Sequence, residues 1–558
     1  MITIIQETAS MLTRDGVRLD ADIYRPEIKE NLPVLLMRQP YGREIASTVV
    51  YAHPSWYAEC GYMVVIQDVR GRGTSEGQFD LFTYEIEDGL DTIEWVARLP
   101  GSNGKVGMYG FSYQGMTQLY AAIHRPAVLK VLAPAMVAYD LYADWAYENG
   151  AFCLQANLGW AIQLAAETAR LRGDEAAYRQ LYEASRNLPL NDKIPANPAI
   201  LQDLAPDSFY HTWLNNHQPG KYWEERSPKY LLENVDLPML HIGGWFDPYL
   251  RGTLNLYRAM VAKSEYPQHL IIGPWGHLPW GRKLGAIDYG MEAQNPIDEI
   301  QVAWFDYFLK DEDNGIKEEA SVCLWEMGSN RWRYFDKFPD TETKIYYLAS
   351  DGLAGMREDS GMLWEYEAAD GLEEEEETDC ATDFTNYTDR LVHDPWRPVP
   401  ALGGHAAFPS GSFDRSSLDC RSDILTYTSA PVEDDLHLVG EIKVIIYCEA
   451  NRPSFDLCAV LSTVTEEGKV FNFAQGYLRV DDATMPITIT LQATCIRITS
   501  EQRLRLSLSA ACFPAYPVNP GNGKLPHEAS LMEMEIITLA VHSGGDYPSQ
   551  IQLLTSSE

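Results

Sequence analysis

The sequence predicts an α/β fold: a mostly parallel sheet covered by helices on both faces, interrupted by an inserted helical cap and followed by a C-terminal antiparallel β-sandwich of jelly-roll type. Three observations predict it. Short apolar runs alternate with helical text between about residues 32 and 132, as buried parallel strands do. Aromatic and alanine-rich helical text fills 139–229, and beyond about residue 315 strand-like runs separated by turn residues replace it. The expected division is 1–140 and 231–315 for the α/β domain, 141–230 for the cap and 316–558 for the sandwich.

In chain order, the first strands are expected at 33–37, 62–67 and 105–109, with an amphipathic helix over 85–98 between the last two. Two later strands, 239–242 and 269–272, each run into glycine, and a helix over 248–261 joins them. In the insertion, helices at 156–170 and 174–184 precede a proline-bearing stretch at 189–206. An insertion at the carboxyl edge of such a sheet is placed to roof a site there. The sandwich strands are expected at 321–325, 344–349, 436–448, 455–464, 488–498 and 502–510. The acidic run 373–377 lacks the alternating ligand spacing of a calcium loop and reads as solvated loop.

Composition narrows the function classes. The 558 residues are 46% hydrophobic and carry 14 Trp, 32 Tyr and 17 Phe, enough apolar material for several cores. With 44 basic against 80 acidic residues the net charge is −36, which disfavours nucleic acid and anionic membrane surfaces as partners. No apolar stretch reaches the roughly 18 residues of a membrane span. The nine cysteines form no CxxC pair, so neither a disulfide scaffold nor a thiolate zinc site is expected. The opening residues show no basic leader or cleavage signal, and the expected location is cytoplasmic.

The chemistry is carried by a Gly-bracketed serine. In Gly110-Phe-Ser112-Tyr-Gln-Gly115 a buried strand passes directly into a helix, so the Ser112 hydroxyl is exposed at the corner while N–H groups of the helix start face a developing oxyanion. The glycine usually found two residues after such a serine is Gln114 here, and Gly115 follows one place later. A serine hydroxyl needs a base, and the base needs an orienting carboxylate. Asp247, in the loop after one later strand, supplies the acid; His277, in the Gly273-Pro-Trp-Gly276-His277 loop after the next, supplies the base. Tyr41, in the loop after the first strand, is placed to donate to the oxyanion with the Tyr113 N–H; one such donor contributes about 2.7–4 kcal/mol to transition-state stabilisation. No HExxH pattern offers a metal site, and no cofactor is expected.

These residues, in the order Ser112, Asp247, His277, resemble the α/β-hydrolases grouped with bacterial cocaine esterase, α-amino acid ester hydrolase and X-Pro dipeptidyl-peptidase, serine hydrolases with a C-terminal jelly roll. Asp15-Gly-Val-Arg-Leu, Pro40-Tyr41, Asp68-Val-Arg-Gly-Arg-Gly-Thr-Ser-Glu-Gly77, Gly244-Trp-Phe-Asp247, Asp394-Pro395 and Leu425-Thr-Tyr-Thr-Ser-Ala-Pro431 extend the similarity over nearly the whole chain. The resemblance implies a late elbow glycine, as at Gly115, and an oxyanion hole of the Tyr41 O–H and the Tyr113 N–H.

It also implies an acyl-enzyme acting on a small ester, an activated amide or a short peptide. Amino acid ester hydrolases carry an acidic pair two and three residues after the catalytic Asp, where this chain has Tyr249 and Leu250. Asp140, Asp144 and Glu148 are the remaining acids placed to meet a cationic substrate from the cap, or to form a solvated helix face. Trp145, Phe152 and Trp160 from the cap, with Tyr142 and Leu158, and Trp245, Phe246 and Trp275 beside the triad are the candidate pocket walls. X-Pro dipeptidyl-peptidase action, acyl transfer through the same triad and a non-catalytic carbohydrate-binding role are the alternatives, and a homo-oligomer is compatible with all of them.

Overall fold

The computed structural model describes residues 3–28, 30–44, 48–365, 385–481 and 484–556; the acidic run 373–377 lies outside them. The short apolar runs become neighbours in one sheet. Met63–Asp68, Leu32–Gln39, Ser102–Phe111, Leu129–Ala135, Met239–Phe246 and Gln268–Gly276 lie side by side in that order, every pair parallel. Their uniform hydrophobicity follows from burial on both faces: Val34 and Leu36 enter one core with Met116 and Leu119, while Leu35 and Met37 enter the opposite core with Trp304 and Phe305. The chain order reverses on either side of Leu32–Gln39, which opens a crevice at the carboxyl ends of the strands.

Four further strands complete the ten of this sheet among the described residues. The antiparallel hairpin of Ile4–Leu12 and Arg18–Pro26 adds one edge, and its outermost strand is largely exposed and polar, which removes the buried-strand signature. At the other edge Val322–Glu326 pairs in parallel with Gln268–Gly276, and Arg331–Phe335 closes the edge antiparallel. The run at 321–325 therefore belongs to the first sheet rather than to the sandwich where it was expected. A short apolar run is equally at home in either sheet, and only its partner decides.

The long helices of the cap are Leu154–Arg172, ended by Gly173 at φ +76°, and Glu175–Arg186, whose N-terminus is capped by Asp174 accepting from the Ala177 N–H at 3.0 Å. The sandwich brings eleven described strands into a largely antiparallel sheet. Its core is continuous with the α/β domain, since Trp245, Phe246, Val322 and Leu324 pack in the same cluster as Ile442, Leu491 and Leu506. Among the described residues, no helix is long and apolar enough to cross a membrane.

A buried carboxylate ties the three parts together. Glu148 of the cap is 1% exposed and lies 3.0 Å from Arg251 of the α/β domain and 2.9 Å from His405 Nε2. It also accepts the Tyr516 hydroxyl at 2.5 Å and the Tyr477 N–H at 3.3 Å. Burial raises its proton affinity, but Arg251 and His405 outweigh that and hold the carboxyl well below the ordinary value of 4.5. Its stabilisation is thus fully present above pH 4.5 and is lost as pH falls from there toward the folded-state value. Glu148→Gln is expected to lower unfolding free energy by about 3 kcal/mol at neutral pH, with a smaller deficit at pH 3. Urea unfolding at both pH values checks this; equal deficits would contradict the linkage.

Candidate active site

The strand Ser102–Phe111 runs straight into the helix Tyr113–Ala122, and Ser112 takes the corner at φ +60°, ψ −126°. That backbone region disfavours side chains by roughly 1–3 kcal/mol, and flanking bonds hold it. The Ser112 N–H donates to Ala135 O and the Met116 N–H to Ser112 O, each at 2.9 Å. The displaced glycine is explained by packing. A Cβ on Gly115 would sit 2.4 Å from Val137 Cγ1 and 2.8 Å from Ala135 O, so it is Gly115 that meets the neighbouring strand. Gln114 fits because Gly110, at φ +137°, has no Cβ to strike the Gln114 Cβ.

Register brings acid and base together. Met239–Phe246 and Gln268–Gly276 extend past their glycines, four residues beyond the expected ends, and pair so that Phe246 lies opposite Gly276. The next residue of each chain is Asp247 and His277. Asp247 Oδ1 lies 2.8 Å from His277 Nδ1, and His277 Nε2 lies 3.0 Å from Ser112 Oγ. Asp247 is fully buried, and that burial pushes its carboxyl up while His277 draws it down. The following helix begins at Leu250 rather than at Pro248.

Tyr41 leaves the strand Leu32–Gln39, the parallel neighbour of Ser102–Phe111, and thus starts its loop at the same sheet edge. Its N–H donates to Gln39 Oε1 at 3.0 Å, and its phenolic oxygen accepts Trp160 Nε1–H at 3.1 Å. With that lone pair engaged, the phenol proton is free to point elsewhere. Burial pushes the phenol up to about 12, so it stays a donor at neutral pH. The Tyr113 N–H belongs to the first helical turn, which lacks intrahelical acceptors. The Tyr113 ring is pinned by its hydroxyl to Glu85 at 2.7 Å, and Glu85 pairs with buried Arg38 at 2.6 Å. Arg38 and Glu85 were not among the sequence candidates; a charged residue ending an apolar strand was the available sign of a buried partner.

The family model described as X-Pro dipeptidyl-peptidase (S15 family) matches residues 15–279, and that of the X-Pro dipeptidyl-peptidase C-terminal non-catalytic domain matches 314–552. The chain belongs to this family of α/β-hydrolases. Cocaine esterase of Rhodococcus sp. (strain MB1 Bresler) is 28% identical, the match covering 97% of this chain and 96% of that protein. A putative serine esterase of Mycobacterium bovis is 25% identical over 84% of this chain and 79% of that one. Two solved structures share the fold: an aminopeptidase from a marine sediment Thaumarchaeota archaeon (TM-score 0.80, 22% identity, covering 100% of this chain and 97% of that one) and an α-amino acid ester hydrolase (0.76, 21%, 99% and 96%). As a member of the family, the protein is a serine hydrolase that works through an acyl-enzyme on ester or amide substrates.

The aromatic candidates separate into two groups. Trp145 stacks on Tyr249 at 4.1 Å between centroids, Tyr249 stands edge-on to His277 at 5.0 Å, and Trp160 lies 5.4 Å from Trp145. An aromatic arc therefore runs from the imidazole to the Tyr41 hydroxyl. Tyr249, noted in the sequence only as a replaced acid, is part of it. Trp145, at 2% exposure, is itself buried in a core, as are Phe152, Trp245, Phe246 and Trp275, whose contacts lie within the packing. Phe152 packs on Tyr147 and Tyr210; Trp245 donates to Trp325 O at 2.7 Å; Trp275 stacks on Trp280 and donates to Ala293 O at 3.2 Å. Tyr142 and Leu158 also belong to the cap's packing. Nearness in sequence to a catalytic residue does not aim a side chain at the substrate when both faces of the strand are covered.

The three acids are all engaged within the protein. Asp144 accepts the N–H groups of Tyr139 and Asp140, Asp140 caps Tyr142 and pairs with Lys229 at 3.2 Å, and Glu148 forms the clamp described above. Among the described residues, no group of three or more His, Cys, Asp and Glu side chains is arranged to hold a metal ion.

Proposed function

We propose that the protein is an esterase for neutral or weakly cationic carboxylic esters and activated amides of small molecules, with Ser112 as nucleophile, His277 as general base, Asp247 as orienting acid and the Tyr41 O–H with the Tyr113 N–H as oxyanion donors. The observation that carries this reading is the continuous Asp247–His277–Ser112 relay, with spacings of 2.8 and 3.0 Å, beside an aromatic arc. His277 Nε2 takes the Ser112 proton as Oγ attacks the acyl carbonyl, and the oxyanion is held by the two donors. The imidazolium then protonates the leaving alcohol or amine, and a water activated by His277 releases the acid and frees Ser112. Cysteine usage supports a reducing, cytoplasmic setting.

Recognition of a free amino terminus is disfavoured because Asp140, Asp144 and Glu148 are already paired and Tyr249 and Leu250 stand where an acidic pair would receive an ammonium. A charged hydrogen bond left unmade costs roughly 1.5–3 kcal/mol, or about tenfold or more in selectivity. On a panel of p-nitrophenyl esters, amino acid esters and Xaa-Pro anilides, the neutral aryl esters are therefore expected to show the highest kcat/KM by at least about tenfold. Preference for Xaa-Pro anilides would overturn the reading in favour of a dipeptidyl-peptidase. Preferential transfer to an added amine at low concentration would make the protein an acyltransferase.

A further inference from the structure

We propose that Gln492, a residue of the sandwich, is a positioning residue for the acid loop: its side-chain amide clamps the main chain on both sides of the turn into Asp247 and thereby sets the aim of His277. This inference rests on Asp247 orienting His277 and adds to it a contribution from the domain whose family description is non-catalytic.

The Gln492 Nε2 donates to Trp245 O and to Asp247 O, each at 3.0 Å. One amide group thus uses both hydrogens on two carbonyls two residues apart, and those carbonyls bracket the turn from strand to loop. The side chain is 3% exposed, so water does not compete for these bonds. Gln492 Oε1 has no hydrogen-bond partner among the described residues. The opposite amide orientation would set that oxygen against two carbonyl oxygens, so the donor orientation is the one that chemistry requires.

The strand carrying Gln492 is built to deliver it there. In Ile487–Ile498 the pairing with Leu436–Ala450 slips between Gly440–Thr494 and Ile442–Leu491, so Gln492 and Ala493 together face Glu441. Such a bulge re-aims a side chain out of the regular alternation. The same strand is fixed to the α/β domain a few residues on: the Met327 N–H donates to Cys495 O at 2.9 Å, and the Arg497 N–H donates to Met327 O at 2.8 Å. Met327 directly follows Val322–Glu326, the parallel neighbour of the strand Gln268–Gly276 that leads into His277. The sandwich therefore grips the sheet at the base-bearing edge and the acid loop at the same time. The loop is also held by the Asp247 N–H to Gly244 O at 3.0 Å, the Leu250 N–H to Asp247 O at 3.2 Å and the Trp245 indole to Trp325 O. The Asp247 carbonyl is thus shared, accepting a longer bond from the Leu250 N–H within the turn and a shorter one from Gln492 of the sandwich.

The test uses the full-length protein, p-nitrophenyl butyrate as substrate and a fluorophosphonate as active-site label. Gln492→Met keeps the length and volume of the side chain and removes both donors. Misplacement of a catalytic group by about 1 Å costs up to about a hundredfold, so kcat is expected to fall by about ten- to a hundredfold with KM changed by less than about twofold. In an Asp247→Asn background the same substitution is expected to change kcat by less than about twofold, because its effect runs through the acid. Equal losses in both backgrounds, or an undiminished kcat, would overturn the proposal. Gln492→Glu, of the same shape but with its carboxylate against two carbonyls, makes the same comparison if the Met variant does not fold. Unfolding of both would make Gln492 a fold determinant and overturn the proposal as well. A wild-type chain that the fluorophosphonate leaves unlabelled at Ser112 would remove the underlying triad reading, an outcome distinct from a labelled wild type with an indifferent Gln492.

Discussion

Ser112→Ala is expected to lower kcat on p-nitrophenyl esters by about 10⁶-fold and to abolish covalent labelling by a fluorophosphonate. No other group takes over the bond to the acyl carbon, so the acyl-enzyme cannot form and the loss is close to the whole of the triad's contribution. Rate above that of water is expected to survive by about 10³–10⁴-fold, supplied by oxyanion donors and binding alone. The fold is expected to persist, because alanine at φ +60°, ψ −126° is strained no more than serine and the main-chain bonds from Ser112 and Met116 remain. Mass spectrometry of the labelled protein with parallel kinetics settles the matter: an adduct on a different serine, or a variant of near-normal kcat, would remove Ser112 from the mechanism.

Asp247→Asn is expected to cost about 10⁴-fold in kcat with little change in fold. The carboxylate accepts the His277 Nδ1–H at 2.8 Å, which leaves the Nε2 lone pair facing Ser112 Oγ at 3.0 Å. An asparagine amide in the same space donates to Nδ1 and moves the ring proton to Nε2, where it faces the hydroxyl it should deprotonate. The imidazolium formed on attack also loses its counter-charge. Stability is expected to hold or rise slightly, since Asp247 is fully buried and the burial of its charge is already unfavourable. The split between a large kinetic loss and an intact unfolding midpoint is the measurement; a loss below about tenfold in kcat would assign the orienting role to another group.

Both predictions concern residues that local text identified. Ser112 sits between glycines at a strand-to-helix corner, and Asp247 and His277 follow apolar strands in loops held by glycine and proline. Such contexts are short-range, so they survive in a string of letters. The inner strands of the first sheet were legible for the same reason: burial on both faces produces uninterrupted apolar runs. Legibility failed where a partner decides. The outer N-terminal strand is exposed and polar, and Val322–Glu326 is an apolar run that joined the first sheet because Gln268–Gly276 had a free edge.

The pocket shows the same limit. Trp145 and Trp160 join the run of rings that reaches His277 through Tyr249, Trp145 from within the core, whereas Phe152, Trp245, Phe246 and Trp275 pack in cores. Their aim depends on strand pairing and on what covers each face, and composition carries neither.

What the sequence determined by itself was the set of candidates: a hydroxyl, a carboxylate and an imidazole at strand ends, in that chain order. The tertiary structure alone decided that Phe246 pairs with Gly276, so that acid and base emerge side by side, and that Gln492, 245 residues from Asp247 along the chain, returns to hold the acid loop. The physical reason is range. Backbone conformation at a turn is dictated by its own few residues, whereas register and side-chain aim are set by the sum of many weak contacts between segments that meet only in the folded chain.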